Sequence, residues 1–598
     1  MLINWIYVFI TTYITGRFIL TKAYKCLKYE TKVQIAPAVA AGLAFTTVYA
    51  GYFSVFYKVG QLANAILIIA CITMAVVDRE YYRHIPSMAI RAINKYKHDR
   101  KAIIKSILIV IAFIAVLFFT TEGQFFSDSG YYHEQSIRWI EEFGAVRGSV
   151  HVLKRLAYNS SYFCQCALFS MRDLFGQSLH CLGGFYALFV MMHSIIGFDK
   201  HIKTNTLRIA PIIYFIMFCS EIISPASDFP LTFIVMYVAI RWFELRDEEQ
   251  IQGNLKTLEM DNAYAPYAML SLFVVFIISI KLTVGCLVLI VTYPAITMIK
   301  ERKIKEITTF IGLGIGTILP YFIRNYIICG WLIYPFTKID LFNPDWKIVA
   351  EAVQADADEI KVWGRGMGQI GGVPNDGIRT WLPHWWNYMA EPDRKIIISL
   401  IGVGILYIAY RVVGLLNCYI NTKIKVNNEN IDETKSLVLH RGVFEVAVLL
   451  SVFYWFFESP LFRYGVVYIL IAVFYMLGYM LEVSFSKYIK ERNRTWRIMV
   501  MLGMTLVCLF PTIKSLVEYL KWDYICVRYM SNFSYVVNQE DYPRVEYEET
   551  DIDGITFYYP SEELGQIGYH IFPALWYGDT SGIELRGNKI REGFRSAD

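Results

Sequence analysis

The chain has 598 residues, with 57 Lys and Arg against 52 Asp and Glu, a net charge of +5. Charged residues make up 18%, against about 25% in ordinary globular proteins, and apolar residues make up 56%. This excludes a disordered chain, a fibre and an ordinary soluble enzyme, gives no basic face for nucleic acid, and leaves a protein dissolved mainly in lipid.

Apolar windows of ~20 residues, enough to cross ~30 Å of hydrocarbon, recur along the chain. They predict spans near 2–20, 35–53, 59–77, 102–119, 178–197, 207–224, 229–245, 264–280, 283–299, 307–328, 395–413, 442–457, 463–482 and 497–516. The first lacks a basic leader and a small-residue cleavage site, so it reads as a span and not a signal. Lys and Arg concentrate in the connections 21–34, 78–101, 300–306 and 483–497, which places them in the cytoplasm. The acidic stretch 246–262 runs against that rule. Parity then puts 120–157 outside and 198–206 inside, with a single crossing between them at 178–197. The segment 158–172, with Asn159, Ser160, Ser161, Gln165 and Arg172, reads as a re-entrant or interfacial piece. The loops 120–157 and 329–394 and the tail 517–598 share the outer face. The expected division is a three-span region over 1–100, a transmembrane core over 101–516, and a small mixed domain over 517–598. That domain is too small for more than a modest core, so it is expected to dock on the outer loops. Asp551 to Pro560 reads as a turn followed by a strand. Eleven cysteines without a CxxC pair give neither a disulfide framework nor a zinc site of that type.

Polar residues with chemical potential collect at the outer helix ends. In the first outer loop, Asp128 precedes Tyr131, Tyr132, His133 and Glu134, and an amphipathic helix follows with Ile137, Trp139, Ile140 and Phe143. Ser127 or Asp128 suits a helix cap; Asp128 equally suits a general base at the membrane surface. Ile137 breaks the HExxH pattern after His133-Glu134, which excludes a zincin. Glu221 lies inside a span, where a carboxylate is costly. Asp228 sits in a Ser-Pro-Ala-Ser-Asp-Phe-Pro turn as a second cap or a polar contact. Lys281 interrupts a long apolar run, Arg324 ends a helix as Arg324-Asn325, and Arg463 follows Pro460. Each cation suits a snorkelling side chain; together they suit a lipid phosphate. Gly366 to Gly371 matches GxGxxG by letters but lacks a βαβ setting, so it reads as a loop. Trp381 to Trp386, including His384 and Trp385, reads as an aromatic belt in preference to a sugar-stacking surface.

These motifs, in this order, resemble the GT-C superfamily of membrane glycosyltransferases. The shared features are Asp128 ahead of Tyr131-Tyr132, Arg324-Asn325 followed by Gly330 to Pro335, and the Pro460 to Tyr464 turn. Ser224 to Asp228, Lys281, Trp381 to Trp386 and the ending Leu585 to Arg595 further resemble a group of bacterial multi-spanning proteins. The resemblance implies an all-α polytopic fold of 13–14 transmembrane helices with a small mixed extracytoplasmic C-terminal domain. It implies a transferase of the bacterial cytoplasmic membrane, active on its outer side, that moves sugar from a polyprenyl-phosphate donor to a glycan or lipid acceptor. Asp128 stands at the position of the family's base. Arg324, Arg463, Lys281 and His133 are the donor-phosphate candidates. Tyr131, Tyr132, Asp228, Glu221, His384 and Trp385 are the substrate-binding candidates. No nucleotide or other cofactor is implied. Ser129 stands where many members carry a second acid, which weakens any metal site. A polymerase or ligase of lipid-linked sugars is the nearest alternative, and a transporter, flippase or assembly protein is the other.

Overall fold

The computed structural model describes residues 1–96, 99–122, 128–199, 201–255, 262–421, 431–484, 491–529, 538–562 and 565–597. Ser127, read above as a possible cap, lies outside them, as do parts of the basic connections, including Lys97 and Lys487. The chain opens with α1 (Leu2–Cys26), α2 (Ile35–Phe56), α3 (Gln61–Val77), α4 (Arg79–Tyr96) and α5 (Arg100–Thr120). Short helices α6 (Glu134–Glu142), α7 (Ser161–Phe169) and α8 (Arg172–Phe175) follow. Next come α9 (Leu182–Gly197), α10 (Ile202–Phe218), α11 (Asp228–Leu255), α12 (Ala265–Ile280), α13 (Thr292–Lys300) and α14 (Ile304–Cys329). Then α15 (Ala350–Gly364) and α16 (Ile378–Tyr388) lead to α17 (Glu391–Asn421), α18 (Ile431–Glu458), α19 (Phe462–Ser484) and α20 (Glu491–Tyr529).

Among the described residues ten helical stretches are long and apolar enough to cross a membrane. The protein is therefore a polytopic helical membrane protein. Some predicted spans are not among the ten. Those at 178–197 and 264–280 fall on α9 and α12, each of 16 residues. At 1.5 Å per residue such a helix covers about 24 Å, short of the hydrocarbon thickness. Both are largely buried by neighbouring helices, and both run from one end of the bundle to the other. Helix α9 starts beside Thr120 at the end of α5 and finishes where Lys105, near the start of α5, donates to Ile196 O and Phe198 O. Helix α12 runs from Leu20 and Tyr24 of α1 to the Asp228–Lys281 pair. The prediction at 59–77 corresponds to α3, from which α4 turns away by 79°. That at 229–245 lies on α11, which carries the buried Arg241 and Glu244.

The acidic stretch after 245 is not wholly a loop, because α11 continues to Leu255. Its described acids are also matched. Glu248 receives hydrogen bonds from Arg241 at 2.7 and 3.1 Å, Glu249 from Arg246 at 2.9 Å, and Asp247 from Thr204 at 2.6 Å. The stretch read as re-entrant holds α7, whose nine residues are all buried and too few to cross a bilayer. Its Gln165 donates to Leu43 O at 3.2 Å and Thr46 Oγ1 at 3.0 Å, and accepts from Tyr186 at 2.6 Å. The first helices belong to the same core: Trp5 Nε1 donates to Cys181 O at 2.8 Å.

Beyond α20, which carries the chain to Tyr529, β1 (Tyr547–Ile552) and β2 (Ile555–Pro560) form an antiparallel hairpin. Its two-residue turn places Asp553 and Gly554 at φ 50° and 84°, the left-handed conformation such a tight turn requires. Strands β3 (Ile583–Leu585) and β4 (Phe594–Ser596) pair in the same way. This region has a shared core: Ile552, Phe557, Ile567 and Phe594 pack with Trp139, Val150, Leu153 and Trp331. On α6 Ile137, Trp139 and Ile140 of the predicted apolar set are buried, with Phe143 partly buried just past its end, but so are Glu134, Gln135 and Glu141, because the C-terminal region covers the polar face too.

Helices α1 and α2 cross through glycine. A Cβ on Gly42 would lie 1.8 Å from Thr12 O, and one on Gly16 would lie 1.8 Å from Ala38 O. Gly42→Leu is expected to cost at least about 1–3 kcal/mol. Gly312→Leu, at a position with no heavy atom within 4 Å, is expected to be tolerated. Thermal denaturation of the two variants in detergent measures the difference.

Candidate functional site

The chain leaves α5, reaches Asp128 and enters a single π-helical turn, Ser129–His133. Such wide turns are rare and frequent at functional sites. The Asp128 side chain makes no cap bond. It accepts instead from Arg463 Nη2 at 2.8 Å, across 335 positions of sequence. Arg463 Nε lies 4.0 Å from Asp228 Oδ2, and Asp228 Oδ1 accepts from Lys281. Four groups of alternating sign thus form one chain, Asp128–Arg463–Asp228–Lys281, and their formal charges cancel. Their side chains are between 19% and 26% exposed.

Each group is delivered by a helix end. Asp228 begins α11, Arg463 lies in the first turn of α19, and Lys281 is the residue at which α12 stops. Lys281 therefore sits at a turn, as its place in the apolar run suggests, and also in an ion pair. Tyr464 lies beneath both cations, its ring centroid 3.8 Å from Lys281 Nζ and 5.2 Å from Arg463 Cζ. Ser129 Oγ meets Ser224 Oγ at 2.5 Å and joins the π-turn to the turn that carries Asp228.

A cavity of about 520 Å³ opens beside this chain. Asp228, Lys281 and His133 line it, with Asp128 and Arg463 adjoining through Asp228. Aromatic rings form much of the wall, including Tyr132, Tyr158, Tyr334, Tyr454, Tyr464 and Tyr468. Lys338, Lys361 and Glu458 stand elsewhere on its lining. Burial lowers the His133 imidazole to about 4, so it is neutral at pH 7. Burial raises the Tyr132 phenol well above its ordinary range. Burial also pushes the Asp228 carboxyl up, but Lys281 and Arg463 outweigh that and hold it below the usual carboxylate range. Glu221, on a 3-10 turn at Cys219–Ile223, is electrostatically coupled to Arg463, Asp228 and Asp128.

The remaining candidates lie elsewhere. Arg324 is buried away from the cavity, donating from Nε to Asn159 Oδ1 at 2.9 Å and from Nη1 to Ser54 Oγ at 2.7 Å. Asn159 also donates to Asn325 Oδ1 at 2.8 Å, so Arg324-Asn325 ties α14 to α2 and to the segment before α7. His384 is exposed, outside the cavity. Trp381 and Trp385 are not an outward-facing belt: they are buried against Phe456, and Trp385 Nε1 donates to Pro460 O at 2.6 Å. Gly366 and Gly371 occupy left-handed loop positions with no strand beside them. Among the described residues no cluster of three or more His, Cys, Asp and Glu could hold a metal ion.

Sequence reasoning expected the C-terminal region to dock on the outer loops but did not foresee that it holds the π-turn. The amides of Ile567 and Gly568 both donate to Gly130 O at 2.9 Å, and Trp576 Nε1 donates to Tyr131 O at 3.1 Å. Gln135 Nε2 reaches Gly568 O and Ile571 O at 2.8 and 2.7 Å. The strap at Gln539 and Glu540 bonds the last carbonyls of α5, at Thr120 and Thr121, each at 2.8 Å. Residues more than 400 positions away thus fix the backbone of the π-turn. At this seam Glu134 is fully buried with no hydrogen-bond partner on either carboxylate oxygen, and burial, with Asp541 nearby, raises its carboxyl to about 8.

A family profile described as "Domain of unknown function (DUF8201)" matches residues 1–470, a stretch that includes Asp128, Asp228, Lys281 and Arg463. Comparisons with curated proteins and with solved structures give no match.

Two outcomes follow from this geometry. The unfolded chain releases the Glu134 proton near 4.5 and the folded chain near 8, so stability falls as pH rises through that window. Glu134→Gln is expected to match wild type at about pH 5 and to melt at a higher temperature at about pH 9. Arg324→Ala, which strands Asn159 and Ser54, is expected to lower stability by about 1–3 kcal/mol, measured by denaturation in detergent.

Proposed function

The chain belongs to the DUF8201 family, and we propose that this member is a membrane glycosyltransferase. In this reading it moves a sugar from a polyprenyl-phosphate donor to a glycan or lipid acceptor. It works on the outer side of the bacterial cytoplasmic membrane and has a GT-C-like core. One observation carries the reading. An alternating chain of two carboxylates and two cations adjoins an aromatic-lined cavity where α11 and α19 begin and α12 ends, at one end of the helical bundle. A lipid phosphate lies at that depth, and aromatic faces suit a sugar ring.

Asp128 acts as general base. It takes the proton of an acceptor hydroxyl as that oxygen attacks the anomeric carbon. The bond from that carbon to the phosphate oxygen breaks, a glycosidic bond forms with inversion, and polyprenyl phosphate leaves. The ion-pair chain gives this step an electrostatic logic. Proton uptake removes the charge of Asp128 and leaves Arg463 with uncompensated positive charge as the leaving phosphate gains negative charge. Lys281 adds a second cation next to Tyr464. Such fixed charges stabilise a transition state without reorganisation. Neutral His133 and Tyr132, both on the cavity wall, orient hydroxyl groups in this reading. A second reading makes Asp228 the base, because Asp228 lines the cavity and Asp128 only adjoins it; against it, Lys281 and Arg463 both face the Asp228 carboxylate.

Purified protein incubated with polyprenyl-phosphate-linked sugars is expected to release free polyprenyl phosphate. Asp128→Asn is expected to slow release at least about a hundredfold. Loss of release in Asp228→Asn with retention in Asp128→Asn would move the base to Asp228. Absence of release from all donors by wild type would remove the transferase reading.

A further inference from the structure

A second cavity of about 520 Å³ lies between the starts of α1 and α3 and the bend from α7 to α8. Because α2 runs back between them, α1 and α3 point the same way, and their starts share one end of the bundle. The cavity reaches from Gly60, Arg172 and Asp173, beyond the start of α3, to Ile68. That is about 10 Å along α3 at 1.5 Å per residue. Its rim is apolar and exposed, with Ile3 at 64%, Ile68 at 42% and, beside the charged end, Leu174 at 72%. Its outer end is charged. The cavity therefore has the polarity of an amphiphile that enters from the bilayer with its headgroup at the helix ends.

Elimination identifies the groups left for the headgroup. The Asn64 carboxamide is occupied, accepting from Tyr7 at 2.8 Å and donating to Gly60 O and Leu168 O. Glu141 is occupied by Ser178 Oγ at 2.8 Å and by Tyr569 OH. Both ion pairs of Arg172, to Glu142 at 2.7 Å and Glu141 at 3.8 Å, use Nη1, which leaves the rest of its fork. Asp173 is exposed, carries no ion pair among the described residues, and stands against Gly60, where a Cβ would lie 3.1 Å from Oδ2. A guanidinium fork binds phosphate oxygens and a carboxylate binds a primary ammonium.

We propose that this cavity binds a membrane phospholipid whose headgroup joins a phosphate to a primary ammonium, the phosphate on Arg172, the ammonium on Asp173 and an acyl chain along Ile3 and Ile68. It is separate from the site beside Asp228 and independent of what that site does.

Native mass spectrometry of the full chain in detergent tests this with phosphatidylethanolamine and phosphatidylglycerol of matched chains. Wild type is expected to retain one ethanolamine lipid about threefold to fivefold better than the glycerol lipid, the scale of one partly exposed charge pair. Asp173→Asn is expected to abolish that preference. Ile68→Trp, which fills the cavity, is expected to abolish retention. Leu174→Glu is expected to do the same from an exposed position that leaves the packing intact. Equal retention of the two lipids by wild type, or undiminished retention in Leu174→Glu, would overturn the proposal.

Discussion

Charged groups at the ends of membrane helices must reach water or find polar partners, because an ion that does neither loses hydration without compensation. The chain Asp128–Arg463–Asp228–Lys281 meets that condition and organises this end of the molecule. Satisfying it requires the first loop, the start of α11, the end of α12 and the start of α19 to converge. Helix ends suit such a convergence, since side chains there reach past the apolar stretch while the backbone stays rigid. The cavity follows from it, because helices held together at their charged ends leave space where their aromatic side chains splay apart.

The C-terminal region solves a different problem. With two short hairpins it lacks the apolar surface to stand alone, so it completes a core begun by residues 139–157 and 328–353. In doing so it supplies backbone donors to Gly130 and an indole donor to Tyr131, so the segment that carries Asp128 is braced from outside the bundle. This docking has a cost: Glu134 is buried with no partner. Arg324 performs the corresponding work on the other side. A guanidinium at 4% exposure binds Asn159 and Ser54 and makes the first helices part of the body that holds the π-turn.

Much of this was legible in the chain. The apolar windows gave most of the spans, Asp551 to Pro560 gave a strand, and the outer-end residues Asp128, Asp228, Lys281 and Arg463 stood out as polar groups in costly places. What failed did so for identifiable reasons. Hydropathy does not separate a helix wrapped by protein from one wrapped by lipid, so the burial of α9 and α12 was not legible. A Trp cluster reads the same whether it faces lipid or a neighbouring Trp, so Trp381 and Trp385 were misplaced. A cation at a helix end announces its charge and not its partner, so Arg324 was grouped with Lys281 and Arg463.

The sequence by itself determined that this is a helical protein of the membrane with its costly polar groups at helix ends, because hydrophobic length and charge are local properties carried by each segment. Only the tertiary structure decided which of those groups meet. Asp128 and Arg463 are 335 positions apart, and Gly130 and Gly568 further still. Such pairings are set by the order in which helices pack and by which polar groups that packing brings within reach. Both belong to the whole assembly and to no segment of it.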